Sequence, residues 1–216
     1  MSSITRHSHR AVASVLFLSA LLAGCVQGAG PITSETRDVR PFSTIEIGAG
    51  IRLEFRVGSP QVVTVSAQSN ILPAVATDVS GAVLTIDARD DFTTSEPVTV
   101  TVAAPTLAEL SMSGGAQAWV DGIDAAALQL TLKGGARAAI NGSVASVTLT
   151  ADGGSAADLG ELVAGSMSVT LSGGATATVN AATEVAGSAS AGSRLKVLGG
   201  PRVTVAVSGG AEVTSE

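Results

Sequence analysis

The chain has 216 residues, with 12 lysines and arginines against 18 acids, a formal net charge of −6, and only 2% aromatic residues. Such an acidic balance disfavours nucleic acid and anionic membrane surfaces as partners. Both histidines and the single cysteine stand within the first 25 residues, so the rest of the chain has no material for a Ser-His-Asp or Cys-His catalytic group, or for a zinc site.

Residues 1–24 have the form of an export signal, with Arg6 and Arg10 as a basic start and an apolar run over 11–22. That run falls short of the roughly 20 residues that span a bilayer, which favours a cleaved signal peptide. Leu22-Ala23-Gly24-Cys25 closes it and resembles the bacterial lipobox, whose cysteine becomes the lipidated first residue. Cys25 is therefore the expected lipidation site and the expected link to a membrane. Val26 stands where an aspartate would signal inner-membrane retention, which points to the outer membrane. Cleavage would remove Arg6 and Arg10 and take the formal charge from −6 to −8. The expected organisation is a signal peptide over 1–24, a lipid-anchored flexible tether over 25–38 and one β domain over 39–216.

Within that domain, apolar residues alternate with polar ones at 42–47, 51–57, 62–67, 83–88 and 98–103, which predicts five strands. Asn70 is a candidate cap for a helical turn that Pro73 keeps brief. Arg89-Asp90-Asp91 and the following Thr93-Thr94-Ser95 predict a loop. The section over 39–106 shows no period and is expected to cover one end of the β stack, as capping repeats do.

Residues 107–216 repeat one pattern. Gly-Gly pairs stand at Gly114-Gly115, Gly134-Gly135, Gly153-Gly154, Gly173-Gly174 and Gly209-Gly210, with a worn copy at Ala191-Gly192, so the step is 18 to 20 residues. A fixed period of this length is the mark of a solenoid. Before each pair apolar residues alternate, as in Ala108, Leu110, Met112, in Leu128, Leu130, Leu132 and in Val203, Val205, Val207; after it they resume, as in Ala136, Ala138, Ile140. A period of two predicts strands with one buried face, and the glycines supply a tight turn where positive φ is needed. Small residues follow every pair and larger ones end every run, always in the same direction, which favours parallel coils over an antiparallel meander. The prediction is an all-β, parallel β-helix or solenoid of two-strand coils. Asp121-Gly122 and Asn141-Gly142 are expected to end the second strand of a coil. Lys133 is expected beside Asp152, and Arg194 beside Glu212.

The run Val39-Arg40-Pro41-Phe42-Ser43-Thr44-Ile45-Glu46-Ile47, the Ser69-Asn70-Ile71-Leu72 that leads to Val83-Leu84-Thr85-Ile86, and the repeated Ser-Gly-Gly-Ala turns together resemble the bacterial head GIN domain family, described as adhesin heads of autotransporters. The resemblance implies a β-helix-like superhelix with the Gly motifs at its tight turns, a role in cell adhesion and no catalytic residues. The lipobox departs from an autotransporter, which carries its own membrane barrel.

Few residues carry candidate chemistry. Trp119 is at an outward position of the first full repeat, either as a ligand platform or packed beneath the N-terminal section. Calcium needs only oxygens, and Asp152 to Asp158 faintly matches a calcium-binding nonapeptide, but the other repeats lack its aspartates; no metal and no cofactor are expected. A glycosidase needs two facing carboxylates, and Asp121, Asp124, Asp158 and Glu161 cluster near the coil ends. The favoured reading is a non-catalytic cell-envelope module, adhesin-like or structural, with an envelope glycan or protein as ligand. A carbohydrate-active β-helix enzyme is the alternative. The final coil, with Arg202, Glu212 and Glu216 as edge charges, is either a route to self-association or a guarded edge.

Overall fold

Extended backbone whose every second side chain is apolar buries one face, and all but one of the elements among the described residues are strands. The computed structural model describes residues 26–216; the expected export signal and lipidation site Cys25 lie outside the described residues. In chain order the first strands are β1 (Val26–Gln27), β2 (Ile32–Arg37), β3 (Thr44–Ile47), β4 (Arg52–Val57), β5 (Val62–Gln68), β6 (Val75–Ser80), β7 (Val83–Ala88), β8 (Phe92–Thr93) and β9 (Thr99–Ala104). The repeats supply β10 (Glu109–Met112), β11 (Gln117–Leu132), β12 (Arg137–Ala151), β13 (Ala156–Leu171), β14 (Thr176–Ala189), β15 (Arg194–Leu198), β16 (Arg202–Val207) and β17 (Glu212–Ser215). Among the described residues a single 3₁₀ turn occupies Leu72–Ala74.

The repeats form the parallel solenoid that their period predicts. One coil runs along β10, reverses at residues 113–116, returns along the first part of β11 and bends at Gly122 into the run that starts the next coil. β11 thus serves two coils, with β4 and β10 on one side and β12 on the other, all parallel. β12, β13 and β14 repeat the arrangement up to β15, β16 and β17. Like stacks on like: Leu110, Leu130, Leu149 and Val169 form one fully buried column. Burying each such side chain contributes about 1.5–3 kcal/mol, so the column, not the surface charges, holds the coils together.

At the turns, Ala116 N–H donates to Ser113 O at 3.1 Å across Gly114 and Gly115, whose φ values of 58° and 75° make a type I′ turn. The turn also stacks, because Gly115 N–H donates to Gly134 O at 3.0 Å and Gly135 N–H to Gly153 O at 3.0 Å. Ser155 and Ser193 fill positions that are alanine in the neighbouring turns. Both are buried, and their hydroxyls donate to Leu132 O (3.3 Å) and Leu171 O (3.5 Å).

Several expectations are corrected. Asp121-Gly122 and Asn141-Gly142 do not end strands; they are bends inside β11 and β12. Asn141 bridges the coils there, accepting from Gly122 N–H at 2.8 Å and donating to Asp121 Oδ1 at 2.9 Å, so pairing continues around the corner. Ala108 is exposed and Leu107 is buried in its stead. Lys133 makes no ion pair with Asp152 among the described residues. Asp152 instead accepts from Ser172 Oγ at 2.9 Å and from Gly153 N–H at 2.7 Å, which satisfies the carboxylate within its own turn column. Arg194 does meet Glu212, at 3.8 Å.

The N-terminal section is more regular than its sequence. β3, a turn over residues 48–51 and β4 make one further coil, with Ile51 N–H donating to Gly48 O at 3.1 Å and Ala49 at φ 53°. β7 and β9 form a broader coil stacked on it, joined through a loop in which β8 pairs with β1. Beyond them, β6 and β5 run antiparallel to β7 and β9 and close that end. β2 lies antiparallel on β5 and so is an edge strand, not the tether expected over 25–38. Exposed on both faces, it carries no apolar period to betray it; Ser34 and Ser66 hydroxyls meet at 2.7 Å, and Arg37 donates to Leu72 O at 3.0 Å. Asn70 does not cap the 3₁₀ turn. Its side chain accepts from Ala29 N–H at 2.7 Å and donates to Gln27 O at 2.8 Å, which docks the segment before β2.

Candidate ligand groove

In a stacked solenoid the outward side chains of each strand fall into rows at right angles to the strands. Parallel pairing places Arg52, Gln117, Arg137, Ala156, Thr176 and Arg194 in one row, next to the turns. Glu54, Trp119, Ala139, Asp158, Thr178 and Lys196 form the next row. Side chains differ sharply in height along both rows. Ala139 and Ala156 are low, while Trp119 stands at one end and Arg194 and Lys196 at the other. The result is a groove of about 560 Å³ that crosses the stack from β11 to β17. Five steps of strand spacing make it roughly 24 Å long.

Trp119 is the wall at the β11 end and is 45% exposed, despite its size. The Arg52 guanidinium carbon lies 5.1 Å from the centre of the indole, within cation–π range. The N-terminal section thus sets Glu54 beside Trp119 in register and Arg52 over its ring, and leaves the indole half-exposed at the groove. Ala139, its neighbour on β12, is too short to cover it. Arg52 and Arg137 flank Gln117 on adjacent strands, and neither makes an ion pair among the described residues. At the far end Arg194 meets Glu212, and Lys196 meets Glu216 at 2.9 Å.

The carboxylates expected near the coil ends are partly assembled. Asp121, Asp158 and Glu161 share a second cavity of about 320 Å³ with Trp119, Ala139 and Asn141, on the bend side of the groove; Asp124 does not line it. Asp121 accepts from Asn141, and Asp158 Oδ1 accepts from Gly160 N–H at 3.2 Å. Both are thus engaged in the architecture of the bend. Trp119 was legible as a candidate, whereas Arg52, Gln117 and Arg137 were not. The repeat spacing of 20 residues aligns Gln117 with Arg137 and was the available signal; Arg52 is hidden by the excursion that separates its coil from the repeats.

The opposite face carries ladders of hydroxyls, such as Ser111, Thr131, Thr150, Thr170 and Ser188 on successive strands. Among the described residues no group of three or more acidic side chains is placed to hold a metal ion.

Comparison with known proteins gives the same architecture. Three solved structures illustrate it. A protein described as a "putative adhesin" from Bacteroides fragilis superposes with a TM-score of 0.75 at 15% identity, covering 88% of this chain and all of its own. A "putative adhesin" from Parabacteroides distasonis gives a TM-score of 0.52 at 16% identity, over 89% of this chain and all of its own. A "putative lipid binding protein" from the same species gives 0.57 at 10% identity, again over 89% of this chain and all of its own. At these identities the likeness is one of fold. No match was found among the curated proteins. A family model described as "putative auto-transporter adhesin, head GIN domain" matches residues 41–201, and with the turn motifs, the solenoid and the groove now described, the chain belongs to the head GIN domain family.

Proposed function

We propose that this protein is an exported, lipid-anchored envelope module that recognises a glycan, without catalysing a reaction, in the groove beside Trp119. The observation that carries this reading is a half-exposed indole at the end of a groove with a low alanine floor. An open aromatic face beside fixed polar groups is what a sugar ring needs: its C–H face stacks while its hydroxyls find donors and acceptors. The family description as an adhesin supports a surface role. The structural neighbour described as lipid binding makes an acyl chain the competing occupant of the same groove.

The test is a binding screen of the purified protein against envelope glycans, peptidoglycan fragments and acyl-chain micelles, with Trp119→Ala in parallel. A glycan hit that weakens at least tenfold in Trp119→Ala supports the reading, and a glycan hit unaffected by that change removes the groove from it. The cavity lined by Asp121, Asp158 and Glu161 favours a second reading, a carbohydrate-active enzyme; release of new reducing ends in the same wells would bring it forward. Lipid anchoring has its own check. Wild-type protein should fractionate with the outer membrane and Cys25→Ser should not; equal partition of the two would count against lipidation.

Self-association belongs to this proposal through β16 and β17, each paired with one strand only among the described residues. Val203 and Val207 were expected to face a core, yet are 37% and 51% exposed there. A light-scattering mass that rises with concentration, and falls back in Val207→Thr, is the expected outcome; a constant monomer mass would sink it.

A further inference from the structure

The two sides of the groove at Trp119 differ in charge. On the turn side stand the guanidinium groups of Arg52 and Arg137, one strand away from Gln117 on either side. On the bend side stand the carboxylates of Asp121, Asp158 and Glu161, with Arg56 of β4 in register with Asp121. The indole lies between them. Among the described residues five cations are ion-paired, and Arg52 and Arg137 are not among them. Arg52 is further marked because its buried Nε atom finds no hydrogen-bond partner, while its guanidinium rests on the indole. Arg137 is exposed, so its position is not fixed by packing. Two guanidinium groups on the strands either side of Gln117, without ion-pair partners among the described residues, offer an anion a receptor, since arginine binds carboxylates through paired, charge-assisted hydrogen bonds.

Taking the groove as a glycan site, which rests on the reading above, we infer that it selects an acidic polysaccharide built from uronate sugars. The sugar ring stacks on Trp119. Its carboxylate points to the turn side and is held by Arg137, with Arg52 adding charge through its place on the indole. Its hydroxyls point to the bend side, where Asp158 and Asp121 accept hydrogen bonds. Ala139 supplies the space, being the one short side chain between Trp119 and Asp158 in their row. Strung along the groove, the next units of the polymer meet Ala156, Thr176 and Thr178, and reach Arg194 and Lys196, whose charges are already taken by Glu212 and Glu216. A neutral polymer would leave Arg137 desolvated and unpaired. A polyanion without a ring face would gain nothing from Trp119 and would meet the acidic side unfavourably. The site thus discriminates by both features together.

The experiment compares oligogalacturonates and oligomannuronates with their own methyl esters, which keep the ring and lose the charge, in titrations of the full-length protein. At least one acid is expected to bind tenfold or more tightly than its ester, with the difference shrinking as salt is raised. Arg137→Gln should shrink that difference at least threefold, chiefly by weakening the acid, and Arg137→Lys should restore part of it. Trp119→Ala should weaken acid and ester alike. Circular dichroism of the Arg137 variants should match wild type, because the side chain is on the surface. If acid and ester bind equally, the uronate inference is overturned while the glycan groove stands. If neither acid binds but a neutral glycan does so through Trp119, the outcome is the same. If no glycan of any kind depends on Trp119, both readings fall.

Discussion

Single residues set the pitch of this stack, and the turn glycines show it most clearly. A Cβ on Gly173 would sit 2.8 Å from the Gly153 amide nitrogen of the coil beneath, whereas one on Gly174 would meet open space. Both residues have positive φ, so either substitution carries the left-handed cost of about 1–2 kcal/mol, and only Gly173 adds a clash with backbone. Gly173→Ala is therefore expected to lose roughly twice as much stability as Gly174→Ala in urea unfolding; equal losses would refute the stacking account. Ala191 occupies the same slot as Gly173, at φ 52°, and bears that cost already. Ala191→Gly should raise stability by about 1 kcal/mol. Ser155→Ala, which restores the residue found in neighbouring turns, should change stability by less than about 1 kcal/mol, because the long hydroxyl bond and its polar burial are lost together. Periodicity made the need for glycine legible. It did not reveal which glycine of each pair faces its neighbour coil, since that depends on the direction in which the stack rises.

Strands followed the alternation wherever one of their faces is buried, and escaped it elsewhere. β10 to β14 were legible because Leu, Val and Ala recur at every second position against a continuous core. β2 was not, because an edge strand with two wet faces has no apolar signature. The coil of β3 and β4 was masked for another reason: the chain leaves it to build β5 to β9 before resuming the repeat, so its partner turn lies far away in sequence. Placement of Trp119 was legible to the level of its row; the charge asymmetry around it was not, because Arg52 reaches that row only through this excursion. Element boundaries carry a dynamic expectation too. Amide exchange should be slowest in β12 and β13, paired on both sides, and faster in β16 and β17, whose valines are partly exposed. Protection of β17 equal to that of β12 would show that another surface covers it. Asn70→Ala should speed exchange at the Ala29 amide, from which its side chain accepts a hydrogen bond, while leaving β5 and the β1–β8 pair protected.

At the scale of the molecule, stability is a sum of coils and of the interfaces between neighbours, because each repeat pairs only with the coil before it and the coil after. The antiparallel strands seal one end, so the repeats grow away from a closed base. That construction separates two properties which most binding proteins must adjust together. The chemistry at Trp119 is fixed by the first coils, next to the base. The extent of the trough beyond it is fixed by how many coils follow. Inserting one more coil between β13 and β14 would lengthen the molecule by about 4.8 Å and extend the trough by the same amount, without moving any residue around the indole. On the glycan reading proposed above, coil number acts as a ruler: duplication or loss of a repeat beyond β13 would retune the length of polymer engaged without changing the residues around the indole.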